Sequence, residues 1–190
     1  NTTCTDVCYT VLTDSYVHYA KRSLYTEMEM FVPVEDSIDA VRDFISYMDG
    51  IHDRHDDSVV VSAMVRYVAA DDIMLSPCTG RDTAVLSIIV LGDHAASVDQ
   101  EEFRMFASGL QAICESTYSA RPHWGKVNYV PSEGGEHGSY ADYLRSMYPR
   151  WDEFRGVLAA TDPTGIFTNE YLRARGIVAK NVATAGAANV

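Results

Sequence analysis

The chain has 190 residues and a net charge of −12 at pH 7, with a pI near 4.7, a length suited to one domain or pieces of two. The acidic balance argues against nucleic acid and anionic membrane surfaces as partners, since both need clustered Lys and Arg, and no apolar run reaches the ~18 residues of a membrane span. Hydrophobic residues at 47% and charged residues at 22% are ordinary for a globular chain that can build a core.

The chain opens at Asn1 without Met or a visible signal peptide. Asn1-Thr2-Thr3 is a glycosylation sequon with Asn1 as acceptor. Cys4 and Cys8 follow closely, and Cys78 and Cys114 are scattered. Four cysteines permit three full pairings, and sequence does not choose among them. There is no CxxC pair, so a structural zinc site is not expected. Sequon, early cysteines and missing Met together point to a processed chain of the secretory pathway, secreted or lumenal.

Residues 1–20 read as an extended lead-in. Residues 24–32 are rich in strand formers and alternate in part, and Pro33 ends that strand. Glu35, Asp36 and Ser37 open a helix at the end of its dipole that favours acids. Ile38, Val41, Phe44, Ile45 and Met48 follow at helical spacing as a buried face, with Gly50 as the stop. His52 and His55 with Asp53, Asp56 and Asp57 form a turn dense in metal-capable side chains, which reads as a solvated turn and not as a metal site. Residues 59–68 and 82–91 are two strands apolar on both sides, Arg66 apart, and so belong in the middle of a covered sheet. Residues 97–118 read as a second helix, with Ser97 as N-cap and Phe103, Phe106, Leu110 and Ile113 inside. Residues 127–130 read as a further short strand. The order strand, helix, strand, strand, helix, strand predicts an α+β fold, an antiparallel sheet with helices on one face. After Pro131 come a Gly-rich loop, short helices over 140–147 and 149–158 with Trp151, Phe154 and Leu158 on one side, a Pro/Gly turn at 162–169, and from Val178 a tail too poor in apolar residues to pack.

Arg121-Pro122-His123-Trp124-Gly125-Lys126 gathers a guanidinium, an imidazole, an indole and an ammonium into six residues. Buried Trp and His beneath surface Arg and Lys would account for the residue types, and so would a site. This stretch resembles the signature near the C-terminus of the sugar-lactone and alditol oxidases, the D-arabinono-1,4-lactone oxidase family within the vanillyl-alcohol-oxidase superfamily. Further blocks resemble the family in order and spacing: residues 27–33; Val65-Arg66-Tyr67 with Leu75-Ser76-Pro77 and 80–83; Tyr148-Pro149-Arg150-Trp151; and 162–172. The likeness covers about residues 20–175.

The resemblance implies an FAD-dependent oxidoreductase that takes hydride from a CH–OH group and passes electrons to oxygen or another acceptor. It implies that residues 21–130 are part of a substrate (cap) domain and that 131–177 return to a flavin domain, with 178–190 a flexible tail. The chain carries no GxGxxG. It is therefore expected to be the C-terminal chain of a two-chain enzyme whose FAD is held mainly by a partner chain, a cleaved N-terminal half or a separate subunit. By the same resemblance Lys126 and Arg66 are the candidate catalytic residues. His123, Trp124, Lys126 and Asn169 are candidate cofactor contacts, with Asn169 readable equally as a helix cap. A carboxylate such as Glu27 or Glu29 is the structural alternative as partner for Arg66, because an unpaired buried charge is costly.

One departure stands out. Where the family has the Glu of a Glu-x-Arg pair, this chain has Met64, which neither takes a proton nor binds a hydroxyl strongly. With Ser87 and Ile89 as the other expected wall residues, the pocket is greasier than a polyol site. Two readings follow: oxidation of a less polar alcohol than a sugar lactone or polyol, or a non-catalytic relative that keeps the fold for binding or assembly.

Overall fold

In the computed structural model, residues 25–52, 62–91, 100–131 and 139–178 are described. Asn1, Cys4, Cys8, the lead-in, the turn from Asp53 through His55, the Ser97 cap and the tail beyond Val178 lie outside them. Four strands form one antiparallel sheet in the order β2-β3-β1-β4: β1 (Tyr25–Pro33), β2 (Ser62–Val68), β3 (Thr83–Leu91) and the two-residue β4 (Arg121–Pro122). A 3-10 turn (Val34–Asp36) leads into helix α1 (Ser37–His52), and α2 (Gln100–Tyr118) follows β3. Among the described residues, three short helices follow: α3 (Tyr140–Met147), α4 (Trp151–Thr161) and α5 (Glu170–Ala174). The α+β class expected from the sequence is the one the chain adopts. No described helix is long and apolar enough to cross a membrane.

Alternation along β1 sorts the sheet into two faces. Met28, Met30 and Val32 point one way and are fully buried, as are Ala84 and Ile88 of β3, with Leu86 nearly so. Phe44 of α1 and Phe103, Phe106, Ala107 and Leu110 of α2 cover them, making the main core. Each large side chain buried there contributes about 1.5–3 kcal/mol. The opposite face carries Glu27, Glu29 and Phe31. Its lower end is closed by the loop after β2, through a small cluster of Phe31, Cys78 and Val85.

Three expectations need correction. The buried arc of α1 centres on Ala40 and Phe44, with Val41, Tyr47 and Met48 at its margin. At about 100° per residue, Ile38 and Ile45 fall past that margin and are 64% and 52% exposed. The helix also continues through Gly50 to His52. Secondly, among the described residues β2 is an edge strand and not an interior one. The two long helices lie over β1 and β3, so residues 63–68 are exposed on both faces, and among the described residues no strand pairs with the outer edge of β2. Thirdly, the strand after α2 is Arg121–Pro122, not 127–130. A turn closed by Lys126 N–H donating to His123 O (3.2 Å) lifts the chain off the ladder, which is rejoined only at Val127, whose N–H donates to Glu27 O (3.0 Å).

The C-terminal helices form a second apolar cluster of Tyr143, Leu144, Tyr148, Trp151 and Ile177, joined by Leu75, Trp124, Phe154 and Leu158. Arg175 ties it to the 127–130 segment. Its guanidinium donates to Asn128 O (2.9 Å) and Oδ1 and lies 3.5 Å over the Tyr171 ring. Asp162 accepts from the N–H groups of Ile166 (2.8 Å) and Phe167 (2.9 Å), which fixes the Pro/Gly turn.

Candidate functional site

Glu27 and Glu29 sit two residues apart on β1, so both carboxylates leave the sheet on the face away from the long helices. Antiparallel pairing sets Ser87 directly across from Glu29, and Met64 across from Ser87. Glu29 is 3% exposed, Glu27 9% and Ser87 not at all. Two neighbouring buried carboxylates repel and need counter-charges. The chain supplies them from two directions. Arg66 of β2 donates to Glu29 Oε1, and Lys126, in the turn after β4, donates to Glu27 Oε2. Ser87 Oγ joins the pairs, 2.9 Å from Glu29 Oε1 and 3.2 Å from Glu27 Oε1. The array is neutral by pairs: two carboxylates below, two cations above.

His123 is the third basic group on this face, its Nε2 3.7 Å from Glu29 Oε2. Burial, and then the nearby Lys126 charge, hold its pKa below the usual imidazole range, so the ring is neutral at pH 7. Gly125 N–H donates to His123 Nδ1 (3.0 Å). That contact assigns the ring proton to Nε2, facing Glu29. His123 thus turns its Nε2–H toward Glu29 at a separation too long for a hydrogen bond.

The six-residue basic stretch divides its labour. His123 and Lys126 face the carboxylates. Arg121 and Trp124 clamp the loop after β2: Arg121 donates to Pro77 O (3.1 Å) and Thr79 O (2.7 Å), and Trp124 Nε1 donates to Leu75 O (2.7 Å). The indole packs against Tyr148 at 5.4 Å between ring centroids. Arg66, Lys126, His123, Met64, Ser87 and Ile89, expected from the sequence as site residues, therefore share one sheet face. Trp124 stands in the C-terminal aromatic cluster instead, and Asn169 is the N-cap of α5, its side chain accepting from Leu172 N–H (3.0 Å).

Glu27 or Glu29 was expected only as an alternative partner for Arg66, and Glu29 is that partner. Their signal is the pattern Glu27-Met28-Glu29-Met30, in which alternate positions give one face to carboxylates and the other to methionines.

A family model described as D-arabinono-1,4-lactone oxidase matches residues 4–175. The chain is 32% identical over 149 residues to L-gulono-1,4-lactone dehydrogenase of Mycobacterium tuberculosis, a match covering 78% of this chain and 30% of that protein. It is 36% identical over 127 residues to a long-chain alcohol oxidase of an uncultured marine euryarchaeote, covering 66% of this chain and 24% of that protein. It is 33% identical over 138 residues to an alditol oxidase of Streptomyces, covering 73% and 27%. The chain thus spans less than a third of the length of these relatives. On the match across residues 4–175, the chain belongs to the D-arabinono-1,4-lactone oxidase family.

Proposed function

We propose that this chain forms the substrate-side wall of an FAD-dependent oxidoreductase that oxidises a CH–OH group, with the flavin held mainly by a partner chain. The observation that carries the reading is the array of Glu27, Glu29, Ser87, Arg66, Lys126 and His123 on an outward-looking sheet face. The donor set suits a flavin. Arg66, His123 and Lys126 are N–H-bearing side chains that are 51%, 38% and 27% exposed, held in place from beneath by carboxylates. Lys126 and His123 would face the flavin, and Arg66 would face the substrate oxygen. When bound, FAD would supply the hydride acceptor.

The chain's own residues account for the rest of the chemistry. A fixed cation aimed at developing negative charge stabilises it without reorganisation, and Glu27 holds Lys126 in that position. Ser87 Oγ and the Arg66 guanidinium hold Glu29 beneath this surface, and the exposed Arg66 N–H groups would meet the substrate oxygen. The names of the relatives support an alcohol, alditol or lactone as substrate.

The test is to isolate the chain with its natural partner and add alcohols and lactones without oxygen. A flavin absorption that bleaches on addition is expected, and a flavin-free complex would overturn the proposal. That second outcome would favour a non-catalytic binding subunit, a role that the self-neutralised charges of the array also suit.

A further inference from the structure

Resting on that reading, we infer that the alcohol taken by this site is a long aliphatic one, not a polyol or sugar lactone, and that Met64 determines this preference. Met64 stands directly across from Ser87 and is 38% exposed. Ile89 is half-buried on the same face, two residues along β3 from Ser87. Arg66 reaches toward β1 to meet Glu29, which leaves Met64 and Val68 uncovered on either side of it, Val68 at 41% exposure. Met64 to Val68 spans about 13 Å of strand at ~3.3 Å per residue, longer than a two- or three-carbon alcohol.

The polar groups of this face are engaged with one another: Arg66 with Glu29, Lys126 with Glu27, and Ser87 with both glutamates. One hydroxyl can lodge against the Arg66 guanidinium, which is 51% exposed. The carbon chain attached to it then runs over Met64. A second hydroxyl on the neighbouring carbons would meet a thioether, which offers no donor and only a weak acceptor. An apolar wall of this kind discriminates against an added hydroxyl by roughly 100-fold.

Two measurements on 1-octanol and xylitol test this. In the 190-residue chain with 13C-labelled methionine methyls, and Met64 assigned through Met64→Leu, octanol is expected to shift the Met64 resonance saturably and xylitol to leave it in place. A shift with xylitol alone, or with neither, overturns the inference. In the flavin-loaded enzyme, kcat/KM for octanol should exceed that for xylitol by about 100-fold. Met64→Glu should cut the ratio at least tenfold, while Val65→Glu, the same charge on the opposite face of β2, should leave it unchanged. An enzyme that oxidises xylitol and not octanol overturns the inference and keeps the oxidoreductase reading. A flavin-free complex in which octanol still shifts Met64 overturns the oxidoreductase reading and keeps this inference.

Discussion

Ser87 Oγ donates to Glu29 Oε1 over 2.9 Å from a position with no solvent exposure. The same oxygen lies 3.2 Å from Glu27 Oε1. One hydroxyl therefore bridges two carboxylates that would otherwise face each other bare on adjacent same-face positions of β1. Ser87→Ala removes that bridge without opening a large cavity. The expected loss is about 1–3 kcal/mol of stability, the range for leaving a buried polar group short of a partner, measurable by urea titration. No change would mean that water replaces the hydroxyl at once.

The Arg66–Glu29 pair is unequal in burial, 51% exposed on the arginine side and 4% on the glutamate side. Solvent screens half of it, so the coupling should fall between a surface pair and a buried one. A double-mutant cycle with Arg66→Met and Glu29→Gln should return about 1–2 kcal/mol. Arg66→Met alone should cost more than the double variant relative to its parent, because it strands the Glu29 charge.

Glu115 provides a pH signature away from the site. Burial pushes its carboxyl up to about 7, against the hydrogen bonds from Tyr140 and Gln111 and the charge of Arg175, which pull it down. The native state then holds a proton that the unfolded chain, near 4.5, releases. The associated stability is fully present below about pH 4.5, falls as pH rises through 7, and is lost above it, a change on the order of 3 kcal/mol. Glu115→Gln keeps an acceptor for Tyr140 and should flatten this part of the stability profile, raising stability at pH 8. Chemical denaturation at pH 5, 6.5 and 8 checks the sign.

Two glycines with left-handed backbone separate conformational strain from crowding. At Gly80 (φ +71°) an added Cβ meets nothing within 4 Å, whereas at Gly176 (φ +71°) it would stand 2.5 Å from Ala141 Cβ. Gly80→Ala should cost about 1–2 kcal/mol, the backbone contribution alone. Gly176→Ala should cost clearly more and loosen the C-terminal helices from α3, visible as a lower Tm and faster amide exchange over 139–178.

Much of the fold could be read from pattern, because both long helices bury one stripe each and β3 is an apolar run buried on both faces. What escaped that reading depended on neighbours. The apolar run before Val68 implied an interior strand, yet the described helices cover only β1 and β3, and composition does not say how far a helix layer reaches. Ile38 and Ile45 fit the helical period but lie beyond the arc that meets the sheet. The apolar residues 127–130 suggested a strand, and the turn at His123–Lys126 breaks the ladder before them. In the site, Arg66, Lys126 and His123 were legible as cations in unusual places. Their anchoring by Glu27 and Glu29 depended on the register between β1, β3 and the turn after β4, which only the folded chain sets.

The proposal that this sheet face looks onto a flavin is tested most directly by the rate of flavin reduction on rapid mixing with substrate, comparing the parent enzyme with Lys126→Met at equal flavin content and unchanged circular dichroism. Loss of a fixed cation from a site of developing charge predicts a fall of roughly 100- to 1,000-fold. An unchanged rate would place Lys126 away from the flavin, as a surface partner of Glu27 and nothing more.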